Sequence, residues 1–161
     1  MENSKQLAQR FKDVIIDGKW IANTNYKDQI SGIDWEQATQ KIGSLNSIAL
    51  LTFHINYYIK GVLNVFEGGA LEIRDKYSFD LSPITSEESW NNLRDDLFNN
   101  TETFFNHLKT MPDKKLEAPF VEEKYGSYRR NIEGMIEHSY YHLGQIVLIK
   151  KMLSEKNGGT S

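Results

Sequence analysis

His138 and His142 stand four residues apart in a segment that has the pattern of a long helix. Side chains at positions i and i+4 project from the same face of an α-helix, so both imidazoles can reach one point. A third histidine, His54, lies in the middle of another apolar, helix-patterned stretch, residues 47–59. Three imidazoles carried by two helices form a candidate ligand set for one divalent metal ion.

The other available ligand types narrow the chemistry. The chain contains no cysteine, which excludes a disulfide framework, a thiolate metal site and a cysteine nucleophile. Any bound metal must therefore be held by imidazole, carboxylate and water. A mononuclear site with three histidines and one or more open positions is the usual arrangement of a catalytic zinc site, whereas structural zinc sites are closed.

Two well-known metal motifs are absent. A zincin needs His-Glu-x-x-His, but the residue after His138 is Ser139, so the general base is missing. A di-iron bundle needs Glu-x-x-His on two helices, yet Met135 and Ser139 stand three residues before His138 and His142. Both kinds of site are therefore disfavoured.

Four long segments carry the helical period that must position these histidines. They are predicted at residues 4–17, 44–67, 85–111 and 127–154. Gly18, Gly68 and Pro112 are the expected stops. Capping boxes are predicted from Asn3 to Gln6, from Asp34 to Gln37 and from Thr85 to Glu88.

The connections complete the predicted architecture. A short extra helix begins at Asp34, between the first and second long helices. Residues 68–83 form a connection long enough to cross from one end of a bundle to the other, and no segment has a convincing strand pattern. The sequence therefore predicts an all-α, antiparallel four-helix bundle. Residues 1–155 form a single domain, and residues 156–161 are expected to be a flexible tail.

The orientation of the histidines bears on whether they form a site. His138 and His142 differ by about 40° around the helix axis and share the stripe of core-facing residues. His54 also belongs to a mainly inward-facing set. Two interpretations remain open at this point: a shared metal site, or three core histidines that each form separate hydrogen bonds. The fourth histidine, His107, lies near the end of the third helix and is predicted to be a solvated surface residue.

The charge pattern excludes several partners. The formal net charge is −3, and the basic residues are outnumbered and scattered, so a nucleic-acid partner is not expected. The first residues lack the basic start and apolar run of a secretory signal. No apolar stretch reaches the ~18 residues needed to cross a bilayer. We therefore expect a cytoplasmic protein without a membrane partner.

The chain resembles the DinB-like superfamily of four-helix-bundle proteins, which includes bacillithiol-dependent and mycothiol-dependent S-transferases. The resemblance rests on His54 in the second bundle helix and on His138-x-x-x-His142-x-Gly144-Gln145-Ile146 in the fourth, with helix order and total length in agreement. It implies that His54, His138 and His142 bind a divalent metal such as zinc or nickel. It also implies a homodimer.

Gln145 and three tyrosines are expected near the predicted site. Gln145, one turn beyond His142, is expected either to orient a ligand or to be a satisfied buried amide. Tyr57, Tyr58 and Tyr141 either supply a hydroxyl near the metal or simply pack. A homodimer is also predicted because the fourth helix carries apolar side chains opposite the histidines, at Ile136, Tyr140, Leu143 and Val147.

Three hypotheses about function follow. The leading one is a mononuclear metal-dependent enzyme, a hydrolase or thiol-dependent transferase that acts on a small-molecule substrate, with its catalytic residues unassigned. The competing one is a non-catalytic homodimeric binding or regulatory bundle with a structural or vacant metal site. The third is that the histidines never converge. Coordination geometry separates them, since an enzyme needs accessible positions beside the ion and a lined cleft.

Overall fold

The computed structural model describes residues 1–158 and is all-α, as predicted. Within those residues the extended chain forms only an isolated antiparallel bridge, between Pro119 and Ser127. The helices are α1 (Ser4–Lys12), α2 (Tyr26–Ile30), α3 (Trp35–Thr39), α4 (Ile48–Phe66), α5 (Glu87–Thr110), α6 (Asp113–Leu116) and α7 (Tyr128–Gly158).

The first predicted helix changes its hydrogen-bond pattern before it ends. α1 begins with the predicted capping box of Asn3 and Gln6, but residues Asp13–Asp17 form a π-helical turn instead of continuing the α-helix. The turn ends at Gly18, whose N–H group donates to the carbonyl of Asp13 at 2.9 Å. A Cβ at Gly18 would lie 2.3 Å from the Cβ of Asp13, so this close approach requires glycine.

The boundaries of the other long helices differ from the prediction by a few residues. α4 begins at Ile48 because the hydroxyl of Ser47 caps it, and it ends before Gly68, which has a φ of 91°. The capping box of α5 uses Ser86 and Ser89, so the predicted box at Thr85 and Glu88 is wrong. α7 continues to Gly158, through residues assigned to the tail, and residues 159–161 lie outside the described part of the chain.

The short helices were only partly predicted. α3 begins at the predicted capping box of Asp34 and Gln37. α2, capped by Asn25, and α6 were not predicted. Both additional helices have five residues or fewer, so neither contains enough turns to give a hydrophobic period.

The four long helices form a closed ring of contacts. α1 packs on α5, α5 on α4, α4 on α7, and α7 on α1. Their directions follow from residue pairs in contact. For α1 and α5, Ser4 contacts Asp113, just beyond α5, and Phe11 contacts Phe104. For α4 and α5, Asn56 contacts Asn100 and Glu67, just beyond α4, contacts His107, while for α4 and α7, His54 contacts His138 and Phe66 contacts Tyr128. α1 and α5 are therefore antiparallel, as are α4 and α7, whereas α4 runs parallel to α5.

These directions refine the predicted antiparallel bundle. Because α4 and α5 are parallel, the chain must return along the whole bundle between them, which residues 67–86 do. α7 then runs parallel to α1 because each is antiparallel to one member of the parallel pair. The prediction that the long connection crosses from one end to the other agrees with this path, but antiparallel packing holds for only two of the four neighbouring pairs.

Buried polar contacts fasten the smaller elements to the bundle. The indole N–H of Trp90 donates to the carbonyl of Ile33 at 3.0 Å, and both residues are buried. The hydroxyl of Tyr26 in α2 donates to the carbonyl of Ser139 in α7 at 2.8 Å. Since Ser139 follows His138, this bond holds α2 against the part of α7 that carries the histidines. No helix within residues 1–158 combines the length and apolarity needed to span a bilayer.

The apolar residues that suggested a dimer are covered within the chain. Ile136 and Leu143 are 1% exposed, and Tyr140 and Val147 are partly buried against the core. α1, the π-helical turn and α2 all pack on α7 and provide this cover. The prediction of a homodimer therefore loses the apolar surface on which it was based.

Candidate metal centre

The three predicted histidines come together between α4 and α7. His54 lies on α4 and is 5% exposed, while His142 on α7 is 6% exposed and His138, one turn earlier, is half-buried. The Nε2 atom of His138 lies 3.2 Å from Nε2 of His54 and 2.9 Å from Nε2 of His142. One ligand atom from each residue lies within 4.8 Å of the other two. The hypothesis that these histidines never converge is therefore wrong.

Hydrogen bonds on the far side of two rings determine which nitrogen carries a proton. Nδ1 of His54 lies 3.1 Å from the backbone carbonyl oxygen of Ser78, and Nδ1 of His142 lies 2.7 Å from Oε1 of Gln145. Both partners are acceptors, so each Nδ1 must be the donor. A neutral imidazole has a single N–H, and each Nε2 therefore presents a lone pair to the centre.

Two lone pairs thus face the same nitrogen of His138. That nitrogen carries at most one hydrogen, so it cannot form a full hydrogen bond with both His54 and His142. A cation at the centre would bind all three nitrogens through their lone pairs. The outward N–H bonds of His54 and His142 are the kind of contact that orients metal-bound histidines in proteins.

The spacing of the nitrogens also fits a metal ion. Nitrogen ligands lie about 2.0–2.1 Å from zinc, so two corners of a tetrahedral site are separated by about 3.3 Å. The two separations that involve His138, 2.9 and 3.2 Å, are close to that edge, and the third lies within 4.8 Å. Within residues 1–158 no carboxylate joins this group, so three imidazoles are the protein ligands it offers.

The surroundings keep the imidazoles in their neutral, metal-binding form. Burial lowers the pKa of His54 and of His142. The pKa of His138 falls to about 4, first because of burial and then because His142 and His54 would add positive charge beside it. Metal binding requires neutral histidines, so little deprotonation is needed at neutral pH.

The long connection between α4 and α5 covers one side of the site. Besides the carbonyl of Ser78, it supplies Phe79, whose ring stacks on His54 with centroids 4.0 Å apart and planes at 10°. Sequence analysis missed both residues. The contribution of Ser78 is a backbone carbonyl, which any residue has, and Phe79 lies in a segment without a helical period.

The other side of the site opens into a cleft of about 700 Å³. His138 and Tyr58 line it, together with residues of the connection, of the segment before α7 and of α7 itself. The ring of Tyr58 meets the ring of His138 edge-on at 5.3 Å, and its hydroxyl donates to Oδ1 of Asp75 at 2.8 Å. Burial and the bond to Asp75 raise the pKa of Tyr58. His138 therefore borders a cleft that also contains a hydrogen-bonded tyrosine and carboxylate.

The remaining candidates have distinct positions. Gln145 orients His142, and the hydroxyl of Tyr57 contacts the backbone of Arg74. Tyr141 packs edge-on against His142 but is 65% exposed. His107 lies outside the histidine group, with Nε2 3.6 Å from a carboxylate oxygen of Glu67, and its side chain is 39% exposed.

Comparison with known proteins adds no relative. No protein-family model matches the chain, and neither a curated protein nor a solved structure matches it significantly. The case for a metal centre therefore depends on the arrangement of His54, His138 and His142.

Proposed function

We propose that this protein is a mononuclear metal-dependent enzyme in which His54, His138 and His142 bind one divalent ion, with zinc or nickel as the expected metals. The observation that carries the proposal is the convergence of three Nε2 atoms, two of which present lone pairs because their Nδ1–H groups donate elsewhere. A bound ion would act there as a Lewis acid and lower the pKa of a water or a thiol.

The residues around the centre support a hydrolase or a thiol-dependent transferase. Phe79 and Tyr58 exclude water from the buried face of His54, while the cleft admits a small molecule beside His138. Tyr58, hydrogen-bonded to Asp75, is placed to exchange a proton with a molecule in that cleft. The cleft favours an enzyme over a closed structural site, which would not need one.

Membership of the DinB-like superfamily is part of the same proposal. It rests on the spacing of the three histidines along α4 and α7 and on the sequence that follows His142. The homodimer and the cytoplasmic location also remain proposals. Tyr141 and Leu148 are large, exposed side chains of α7, 65% and 57% exposed, that a second copy would cover. Light scattering tests dimerisation, and a monomer at micromolar concentration would contradict it.

Elemental analysis of untagged protein, purified without chelator, tests the metal centre. We expect one equivalent of a divalent metal in the parent and little in the His142→Ala variant, because a ligand has been removed. His107→Ala is the matched control, since it removes a histidine outside the group and should retain the metal. Equal metal in the parent and in His142→Ala would overturn the proposed centre.

A substrate screen tests the enzymatic part separately. Thiol conjugation and the hydrolysis of amides and esters should be measured with metal-loaded parent and with His142→Ala. Turnover that requires both the metal and His142 would support an enzyme. One equivalent of metal without turnover across both reaction classes would instead favour the non-catalytic bundle.

A further inference from the structure

The guanidinium of Arg74 lies at the cleft beside His138. Its side chain is exposed and lines the cleft. Within residues 1–158 this guanidinium forms no hydrogen bond and no ion pair with another residue. An arginine presents several donors in a planar fork that suits carboxylate and phosphate groups, so a free one at a cleft is available for an anionic ligand.

The backbone that carries Arg74 is fixed to α4. The hydroxyl of Tyr57 donates to the carbonyl of Arg74 at 3.1 Å, and the N–H of Arg74 donates back to the same hydroxyl at 2.9 Å. The next residue, Asp75, accepts a hydrogen bond from Tyr58. Two consecutive tyrosines of α4 thus hold two consecutive residues of the connection, and the guanidinium extends from an anchored position.

The charges that line the cleft are mainly positive. Arg74, Lys124 and Arg130 are its cations, and Asp75 is its carboxylate. Lys124 is paired with Glu122 at 2.9 Å, and Arg130 lies 3.9 Å from Glu137. Among the described residues that line the cleft, Arg74 is therefore the cation without a partner.

We propose that the substrate of this centre carries a carboxylate or phosphate group, which Arg74 binds at the cleft while the reactive part of the molecule lies beside His138. The inference rests on the proposed function for the role of His138, but not for binding of the anion. A cleft of about 700 Å³ has the size of small-molecule sites in proteins. Because Lys124 and Arg130 are already paired with Glu122 and Glu137, Arg74 supplies the direct contact to the anion.

NMR titration with inorganic phosphate and with succinate tests this inference. The ¹⁵N-labelled protein is followed through its arginine Nε–H and backbone signals, once as purified and once after treatment with chelator. We expect at least one of the two anions to shift the Arg74 signal saturably in both samples. Arg74→Gln should weaken that binding by about tenfold, the usual scale for losing a charge-assisted hydrogen bond. The anion that loses more affinity identifies the group.

Two control variants sharpen the comparison. Lys60→Gln removes one positive charge from a separate cleft of about 690 Å³ between α4 and α5, and it should leave the affinity unchanged. Arg74→Lys keeps the charge without the planar fork, so its affinity should lie between those of the parent and Arg74→Gln.

The outcomes separate this inference from the metal centre. Saturable binding that survives in chelator-treated protein and in His142→Ala supports the Arg74 site even if the metal proposal fails. Equal affinities in Arg74→Gln and Lys60→Gln overturn the inference, as does binding that disappears when the metal is removed. The absence of saturable shifts with either anion also overturns it, whatever the metal content.

Discussion

The Nδ1–H group of His142 donates to the side-chain oxygen of Gln145, three residues further along α7 and 2.7 Å away. Outer contacts of this kind fix the orientation of a metal-binding imidazole, and their loss lowers metal affinity by about 10–100-fold. We therefore expect Gln145→Ala to bind the metal at least about tenfold more weakly, as measured by competition with a chromogenic chelator. Gln145→Glu retains an acceptor and should keep most of the affinity. Equal metal affinity in Gln145→Ala and the parent would contradict the role of Gln145 in orienting His142.

Phe79 should contribute to metal affinity through His54. Its ring stacks on the imidazole and restrains it, so Phe79→Ala should weaken metal binding several-fold and lower stability by about 1 kcal/mol. Tyr77→Ala is a matched control from the same connection. Tyr77 is 44% exposed, against 42% for Phe79, and its ring contacts Lys76 rather than a histidine. The same chelator competition, with urea unfolding, compares the two variants. Similar losses of metal affinity in Phe79→Ala and Tyr77→Ala would mean that the stacking of Phe79 on His54 does not contribute to metal binding.

The metal-free protein should become less stable in mild acid. The pKa of His138 is about 4 in the folded chain and about 6.5 when exposed, so the unfolded state binds more protons between these values. Burial acts in the same direction on His54 and His142. After chelation, the free energy of unfolding should decrease as the pH falls from about 6.5 to about 4. Above pH 6.5, His138 is neutral in both the folded and the unfolded chain and should cause no pH dependence of stability. Urea unfolding at several pH values measures it.

The His138→Ala variant provides the comparison for that experiment. It lacks the imidazole whose pKa is lowered to about 4 in the folded chain, so its stability should depend less steeply on pH in the same window. Parallel curves for the parent and the variant would show that His138 titrates similarly in the folded and unfolded states.

Gly61 lets the connection approach α4. A Cβ at this position would lie 2.2 Å from a methyl carbon of Ile73, so Gly61→Ala must displace the Ile73 side chain and should destabilise the fold by about 1–3 kcal/mol. Gly144 on α7 is the control, because a Cβ there meets nothing within 4 Å. Gly144→Ala should raise stability by up to about 1 kcal/mol, since alanine favours a helix. Urea unfolding of both variants checks these signs, and a neutral Gly61→Ala would contradict the packing argument.

The helical fold and the histidine group could be predicted because both depend on side chains in periodic segments. Asn3 with Gln6, Ser47 before an apolar run and the glycines after α4 mark helix ends through local chemistry. His138 and His142 share a face by spacing alone. The meeting with His54 was only a hypothesis, because the register of α4 against α7 depends on packing that a single sequence does not reveal.

Other parts of the site depend on the path of the chain rather than on residue type. Ser78 acts through its carbonyl, and Arg74 differs from the other cations that line the cleft because it has no side-chain partner among residues 1–158. Neither property has a sequence pattern. Tyr140 and Val147 were expected to need a second copy because a helical wheel considers one helix, whereas α1, the π-helical turn and α2 pack beside α7.

The parallel arrangement of α4 and α5 gives the connection more chain than the distance requires. α4 has 19 residues and is about 28 Å long, whereas residues 67–86 would reach about 66–72 Å if fully extended. The surplus length allows residues 74–79 to approach the histidine group, where Ser78 and Phe79 contact His54. A shorter, direct link could preserve the direction of every long helix and would still remove Ser78 and Phe79 from His54, so the length of this segment determines how the histidine group is covered.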